Sequence, residues 1–231
     1  MVERPCGRSD CPILDPRSLD RRRLRVVGWP AGAERFRATQ LRYADTVFTP
    51  EGLGRGRFSP LAARSHTYVA EQQSAALLES VLHEANGPNP RIYRAQLSQH
   101  GLVRVRFSAE VVLLDLRDDA LAALDVEPAA LTDAPALHYG CTRQVAEHLA
   151  GAKASHGFVW TSRQGRMHAE RNSDGLAAEV LQHQRLDVAA VYRPDMPRRT
   201  RVMDTTLLLD NKNEPTRFVR ELANLLRIAI L

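Results

Sequence analysis

A carboxylate set among apolar side chains is the first feature of this 231-residue chain that could do chemistry. Gln72 to Glu84 reads as a helix, closed by the breaker run Asn86-Gly87-Pro88-Asn89-Pro90. On that helix Ala75, Leu78, Glu79 and Leu82 share a face by their i, i+3, i+4, i+7 spacing, and Leu77 and Val81 make the neighbouring face apolar. A carboxylate there loses water, which is costly unless a cation or a donor meets it. A salt bridge inside the core and an active-site acid fit this pattern equally well. The loop Gly54-Arg55-Gly56-Arg57-Phe58-Ser59-Pro60 is the second candidate. Its glycines let backbone approach a phosphate, and arginine offers a planar fork to phosphate oxygens. It is neither a Walker loop nor a dinucleotide fingerprint, and an ordinary surface loop fits the same residues. Tyr68, in a short strand just before the helix, and Ser162, at the end of another strand, read singly as a core aromatic and a turn residue. No Ser/His/Asp order, nucleophile elbow or carboxylate pair stands out among them.

The elements that must position these residues follow from the pattern. Arg35 to Thr39 and Thr67 to Ala70 read as strands. Val103, Val105 and Phe107 alternate with polar residues, the period of a half-buried strand. Val111 to Leu116 is a short apolar run and reads as a buried strand, and Gly157 to Thr161 and Ala189 to Tyr192 read as strands. Asp118 to Leu124, Thr142 to Ala150 and Pro215 to Ile228 read as helices, the last with Phe218, Leu222, Leu225 and Leu226 on one side. Strands and helices mix without a regular βαβ alternation, so the expected class is α+β, a mixed sheet with flanking helices. Residues 1–30, with their prolines and the run Asp20-Arg21-Arg22-Arg23, read as an extension, and 31–231 as one domain.

Composition narrows the classes further. The chain is 44% hydrophobic and 26% charged, ordinary for a soluble globular protein, and no apolar run is long enough for a bilayer. A membrane protein, a coiled coil and a disordered chain are excluded on these grounds. The net charge of +5 is made of arginine, since Lys153 and Lys212 are the only lysines. That charge fits nucleic-acid binding, or simply the arginine usage of a GC-rich genome. Three cysteines, Cys6, Cys11 and Cys141, argue against a disulfide framework and for a reducing, cytoplasmic setting. No metal is expected: no second pair follows Cys6 and Cys11, and His138, Cys141 and His148 do not fall at zinc-finger spacing.

Taken together, Gly56-Arg57-Phe58-Ser59-Pro60, Thr67-Tyr68-Val69-Ala70, Ala75-Ala76-Leu77-Leu78-Glu79, Val111-Val112-Leu113-Leu114-Asp115-Leu116 and Gly157-Phe158-Val159-Trp160-Thr161-Ser162-Arg163 resemble the RES-domain family, from about Glu34 to Leu186. Arg37 stands where that family has its first arginine, although Ala38 replaces the tyrosine that follows it in some members. The resemblance implies an ADP-ribosyltransferase-like fold and the toxin half of a toxin–antitoxin pair, acting on NAD+ at the nicotinamide–ribose bond by hydrolysis or phosphorolysis. It implies Glu79 and Arg57 as catalytic residues, with Arg37, Arg57, Tyr68 and Ser162 binding NAD+. No cofactor is expected beyond NAD+ as substrate, with inorganic phosphate as a second substrate in the phosphorolysis variant. The implied partner is an antitoxin with a helix-turn-helix part, and a homodimer is left open. Two alternatives carry weight at this point. One is transfer of ADP-ribose to a protein or nucleic acid by the same site. The other is a nucleic-acid-binding protein using Arg21-Arg22-Arg23 and Arg198-Arg199-Arg201, which the 6% aromatic content, not interleaved with those arginines, disfavours.

Overall fold

A computed structural model of the protein describes residues 5–49, 56–60, 64–83, 85, 89–150, 152–164, 167, 186–192 and 200–231. The described strands are β1 (Val26–Trp29), β2 (Glu34–Gln40), β3 (His66–Ala70), β4 (Arg91–Ile92), β5 (His100–Phe107), β6 (Val111–Asp115), β7 (Gly157–Thr161), β8 (Asp187–Tyr192), β9 (Thr200–Leu207) and β10 (Ala229–Ile230). The described α-helices are α1 (Gln73–Leu78), α2 (Arg94–Ser98), α3 (Asp118–Ala122), α4 (Tyr139–Leu149) and α5 (Arg217–Leu225). An eight-stranded sheet runs β1-β6-β7-β8-β3-β2-β5-β9, and β10 pairs with β4 apart from it. Neighbours in the large sheet are antiparallel except β6 and β7. That parallel pair needs a long crossover, which α3 and α4 provide. The class is α+β, as expected.

The period of two in the strands separates two cores. In β8, Val188, Ala190 and Tyr192 face the helices, while Ala189 and Val191 face the opposite side with Trp29, Val105 and Phe107. On the helix side Phe58, Phe158 and Trp160 are fully buried, with ring centroids 4.8 and 5.6 Å from Phe58. Each such side chain contributes about 2–3 kcal/mol of burial. No described helix is long and apolar enough to cross a membrane.

Three expectations change. The first thirty residues do not stand apart: β1 pairs with β6 in the sheet, and Ile13, Leu19 and Leu24 are buried in the helix-side core. The helix expected from Gln72 to Glu84 ends at Leu78, and turns follow through residue 83. Leu82 is buried there because the turn itself packs inward, its N–H donating to Leu77 O, so the apolar spacing outlives the helix. Thr200–Leu207, β9, was not expected as a strand; it is a largely exposed edge strand whose side chains carry no apolar alternation.

Candidate active site

The site lies where two strands part. β2 and β3 keep a single paired position, Phe36 opposite Ala70. Beyond it Arg37, Ala38 and Thr39 on one strand and His66 and Tyr68 on the other line a cavity of about 530 Å³, within the size range of small-molecule sites. Arg57, Glu79, Tyr139 and Trp160 line the same space. Four of the five residues implied by the sequence, Arg37, Arg57, Tyr68 and Glu79, therefore meet in one cavity. The fifth, Ser162, is fully buried behind it and donates to Glu79 Oε1 at 2.6 Å.

The turn that carries Arg57 is pinned at nearly every polar atom. Gly56 N–H donates to Ser59 Oγ (2.9 Å), and Phe58 N–H donates to the Tyr68 hydroxyl (2.9 Å). The carbonyls are satisfied from elsewhere in the fold. Thr142 Oγ1 donates to Arg57 O (2.8 Å), Tyr192 Oη to Phe58 O (2.8 Å), and Arg143 to Ser59 O and Pro60 O (3.1 and 3.3 Å). β3, β8 and α4 thus converge on five residues, which makes the turn a rigid mount and not a surface loop. Gly56 is required by proximity: a Cβ there would lie 2.6 Å from the Tyr68 hydroxyl oxygen and 2.9 Å from its Cζ. Gly56→Ala is expected to displace Tyr68 and cost about 1–3 kcal/mol, read as a lowered midpoint in urea unfolding.

The two arginines are buried without a carboxylate partner among the described residues. Each is 5% exposed. Arg37 Nη1 donates to Thr46 O and Val47 O (2.8 and 2.6 Å), and Nη2 reaches only hydroxyls, Thr39 and Thr49 Oγ1, at 3.3 Å. Burial draws its pKa down to about 10, with no anion among the described residues to oppose it. Arg57 donates through Nη2 to Ala134 O (3.1 Å), lies 5.2 Å from the centroid of the Tyr139 ring, and leaves Nε without any acceptor. Arg117 shows the contrasting, structural arrangement, bound by Asp115 at 2.7 Å and by Asp187 at 3.1 Å. A buried guanidinium that meets only neutral acceptors carries an unpaid desolvation cost, and an anionic ligand is the natural counter-charge. Arg37 commits its shortest bonds to the Thr46 and Val47 carbonyls, so it can supply field; Arg57, with a single bond to Ala134 O among the described residues, can offer the planar fork.

Glu79 is the C-terminal cap residue of α1 and is half-buried at the cavity wall, less enclosed than the apolar spacing implied. Its carboxylate and the two guanidinium groups occupy one cavity without forming an ion pair among the described residues. Tyr68 has its pKa pushed up to about 12 by burial and so stays a neutral phenol. Its ring meets Trp160 edge-on, 5.8 Å between centroids, forming an aromatic wall.

His66 was not singled out from the sequence. It stands two residues before Tyr68 on the same strand face, and its Nε2 is 3.1 Å from Ser59 Oγ. Burial, and then the charges of Arg37 and Arg143, hold its pKa down at about 4 against a hydrogen bond that the ring makes to the Arg64 backbone, which raises it. The folded imidazole therefore stays neutral while the unfolded one takes up a proton below its ordinary value near 6.5. Stability from this group is complete above about pH 6.5 and is lost as pH falls toward 4, by up to about 3 kcal/mol. Urea unfolding at pH 7 and pH 4.5 should show that loss, and His66→Gln should shrink it. Trp160, Tyr139 and Ser59 were also missed as site residues; Trp160 and Ser59 sat inside recognisable segments, whereas Tyr139 comes from a helix start with no local signal.

Of the arginines of the nucleic-acid reading, Arg21 donates to His148 O, and Arg23 donates to Ala123 O and pairs with Asp125 at 3.1 Å, so both are partly engaged by the protein. Arg198 and Arg199 lie outside the described residues.

Comparison with known proteins places these features. The fold is similar to a chain in the crystal structure of the M. tuberculosis MbcT–MbcA toxin–antitoxin complex, with a TM-score of 0.58 and 16% sequence identity, over 90% of this chain and 96% of that one. No curated protein sequence matches the chain. The family model of the RES domain matches residues 34–173, the span that holds Arg37, the Arg57 turn, Tyr68, Glu79 and Ser162. By that match, over more than half its length, the chain belongs to the RES-domain family.

Proposed function

We propose that this chain is the toxin of a toxin–antitoxin pair and that it destroys NAD+ by breaking the nicotinamide–ribose bond. The observation that carries the reading is a carboxylate, Glu79, oriented by Ser162 in the same cavity as two buried arginines that have no carboxylate partner among the described residues. The substrate supplies both complements: a pyrophosphate for the cations and a ribose that becomes cationic as its bond to nitrogen stretches.

In this mechanism Arg57 takes the pyrophosphate oxygens through its guanidinium group, and Arg37 adds positive field from behind. Tyr68 and Trp160 offer an aromatic wall to the nicotinamide ring. The C1′–N bond breaks with its electron pair leaving on nicotinamide, which needs no protonation to depart. Glu79 faces the oxocarbenium-like ribose and stabilises it, or orients the incoming oxygen, while the Ser162 hydroxyl keeps Oε1 fixed. An oxygen of water or phosphate then bonds to C1′; water gives up a proton to the solvent, and phosphate gives the phosphate ester of ADP-ribose. With a neutral His66 imidazole and a neutral Tyr68 phenol, Glu79 is the carboxylate among the described residues that line the site, consistent with this division of labour.

The partner in this reading is an antitoxin, by analogy with the toxin–antitoxin complex of the structural neighbour. Product analysis by mass spectrometry tests the chemistry. NAD+ incubated with the purified chain should yield nicotinamide with ADP-ribose, or with its phosphate ester when phosphate is added. An ADP-ribose adduct on protein or nucleic acid, without free product, favours group transfer instead.

A further inference from the structure

The fold brings together two pairs of side chains that are far apart in sequence. Cys6, Cys11, His138 and Cys141 each offer one ligand atom, and these atoms all lie within 4.8 Å of one another. Cys11 Sγ is 3.6 Å from Cys141 Sγ and 3.4 Å from His138 Nδ1. A tetrahedral ion about 2.3 Å from sulfur and about 2.0 Å from imidazole nitrogen sets S···S edges of about 3.8 Å and S···N edges of about 3.5 Å. The two Cys11 separations lie within about 0.2 Å of those edges, and all four atoms fall within 4.8 Å of one another. A disulfide requires about 2.05 Å, and all three cysteines are free thiols.

We propose that Cys6, Cys11, His138 and Cys141 form a structural zinc site that fastens the N-terminal segment to the start of α4. The sequence expectation of no metal rested on the lack of a second pair after Cys6 and Cys11. The second pair is His138-x-x-Cys141, whose spacing is ordinary for a zinc knuckle but invisible until folding closes a separation of about 130 residues. Three thiolates and one imidazole select a borderline-soft, tetrahedral ion and leave no open coordination position, which makes the site structural and not catalytic.

Two details of the backbone suit a metal knuckle. Gly7 has φ +68°, the left-handed conformation that glycine adopts without strain, and the Arg8 amide that follows hydrogen-bonds Cys6. Gly140, between the proposed ligands His138 and Cys141, lets Pro5 approach: a Cβ there would lie 2.9 Å from the Pro5 Cβ.

The location gives the site a purpose. His138 and Cys141 flank Tyr139, whose ring faces the Arg57 guanidinium, and Thr142 follows at once, donating to Arg57 O. A metal here would fix the first turn of α4 and, through it, the mount of Arg57, without touching any substrate. The ligands are positioning residues.

The test uses the full chain, purified under reducing conditions without chelators, and metal analysis by mass spectrometry. The expected result is about one zinc per chain, falling at least tenfold in Cys6→Ser and in Cys11→Ser. Refolding with cobalt(II) in place of zinc should give the intense visible bands of a tetrahedral thiolate site, absent from both variants. Removal of the metal should lower the thermal midpoint by about 5 °C or more, a readout independent of NAD+ turnover. Chain with less than a tenth of an equivalent of zinc, which takes up neither zinc nor cobalt on titration, would overturn the proposal. So would a Cys11–Cys141 disulfide found by mass in protein kept reduced throughout.

Discussion

Glu79→Gln is expected to lower the rate of nicotinamide release by about 10²–10³-fold, about 3–4 kcal/mol of transition-state stabilisation. The substitution isolates charge from shape. Glutamine keeps the length of the side chain and an oxygen able to accept from Ser162 Oγ, so the 2.6 Å contact can persist. What disappears is the negative charge facing the developing cation. Because Glu79 is half-buried at a cavity wall, its replacement should change the unfolding free energy by less than about 1 kcal/mol. Circular dichroism and a urea titration check that the fold is retained, and an initial-rate assay checks the loss. If the rate matches that of the wild-type chain, Glu79 has no part in bond cleavage.

Arg57→Met should show the opposite signs in stability and function. Methionine roughly fills the volume of the guanidinium stem while removing a charge that no carboxylate neutralises among the described residues. Relieving an uncompensated buried cation is neutral or stabilising, offset in part by the lost bond to Ala134 O. The thermal midpoint should therefore hold or rise. Catalysis should fall by about 10²-fold, with much of the loss in KM for NAD+, since charge-assisted bonds to the pyrophosphate contribute about 1.5–3 kcal/mol. Arg57→Lys keeps the charge but not the planar fork and should recover only part of the activity. A purely structural arginine would behave differently, losing stability and activity together in both variants.

The features that could be read from the sequence were those with a local physical signature. Period-two alternation placed β5, and short apolar runs placed β6 and β7, because each strand is packed on a face that demands it. β9 escaped because an exposed edge strand has no apolar face to announce it, and β1 because four residues holding a glycine carry little pattern. The helix through Glu79 was read too long because buried turns sustain apolar spacing as well as helices do. Among the site residues, Glu79 and the Arg57 turn were visible as chemistry out of place, whereas Arg37 was not. Arg35 and Arg37 stand two apart on the same strand, and only the fold pairs Arg35 with Glu71, over the Trp29 ring, and leaves Arg37 without an anion among the described residues. The cysteine–histidine cluster was hidden for the same reason: its geometry is made by the docking of the first residues on α4.

The most direct test of the central claim is the time course of nicotinamide release from NAD+ by the purified chain, run with and without inorganic phosphate. The account predicts release in large molar excess over protein, through many turnovers, that disappears in Glu79→Gln. NAD+ left intact by the folded wild-type chain under both conditions would contradict it.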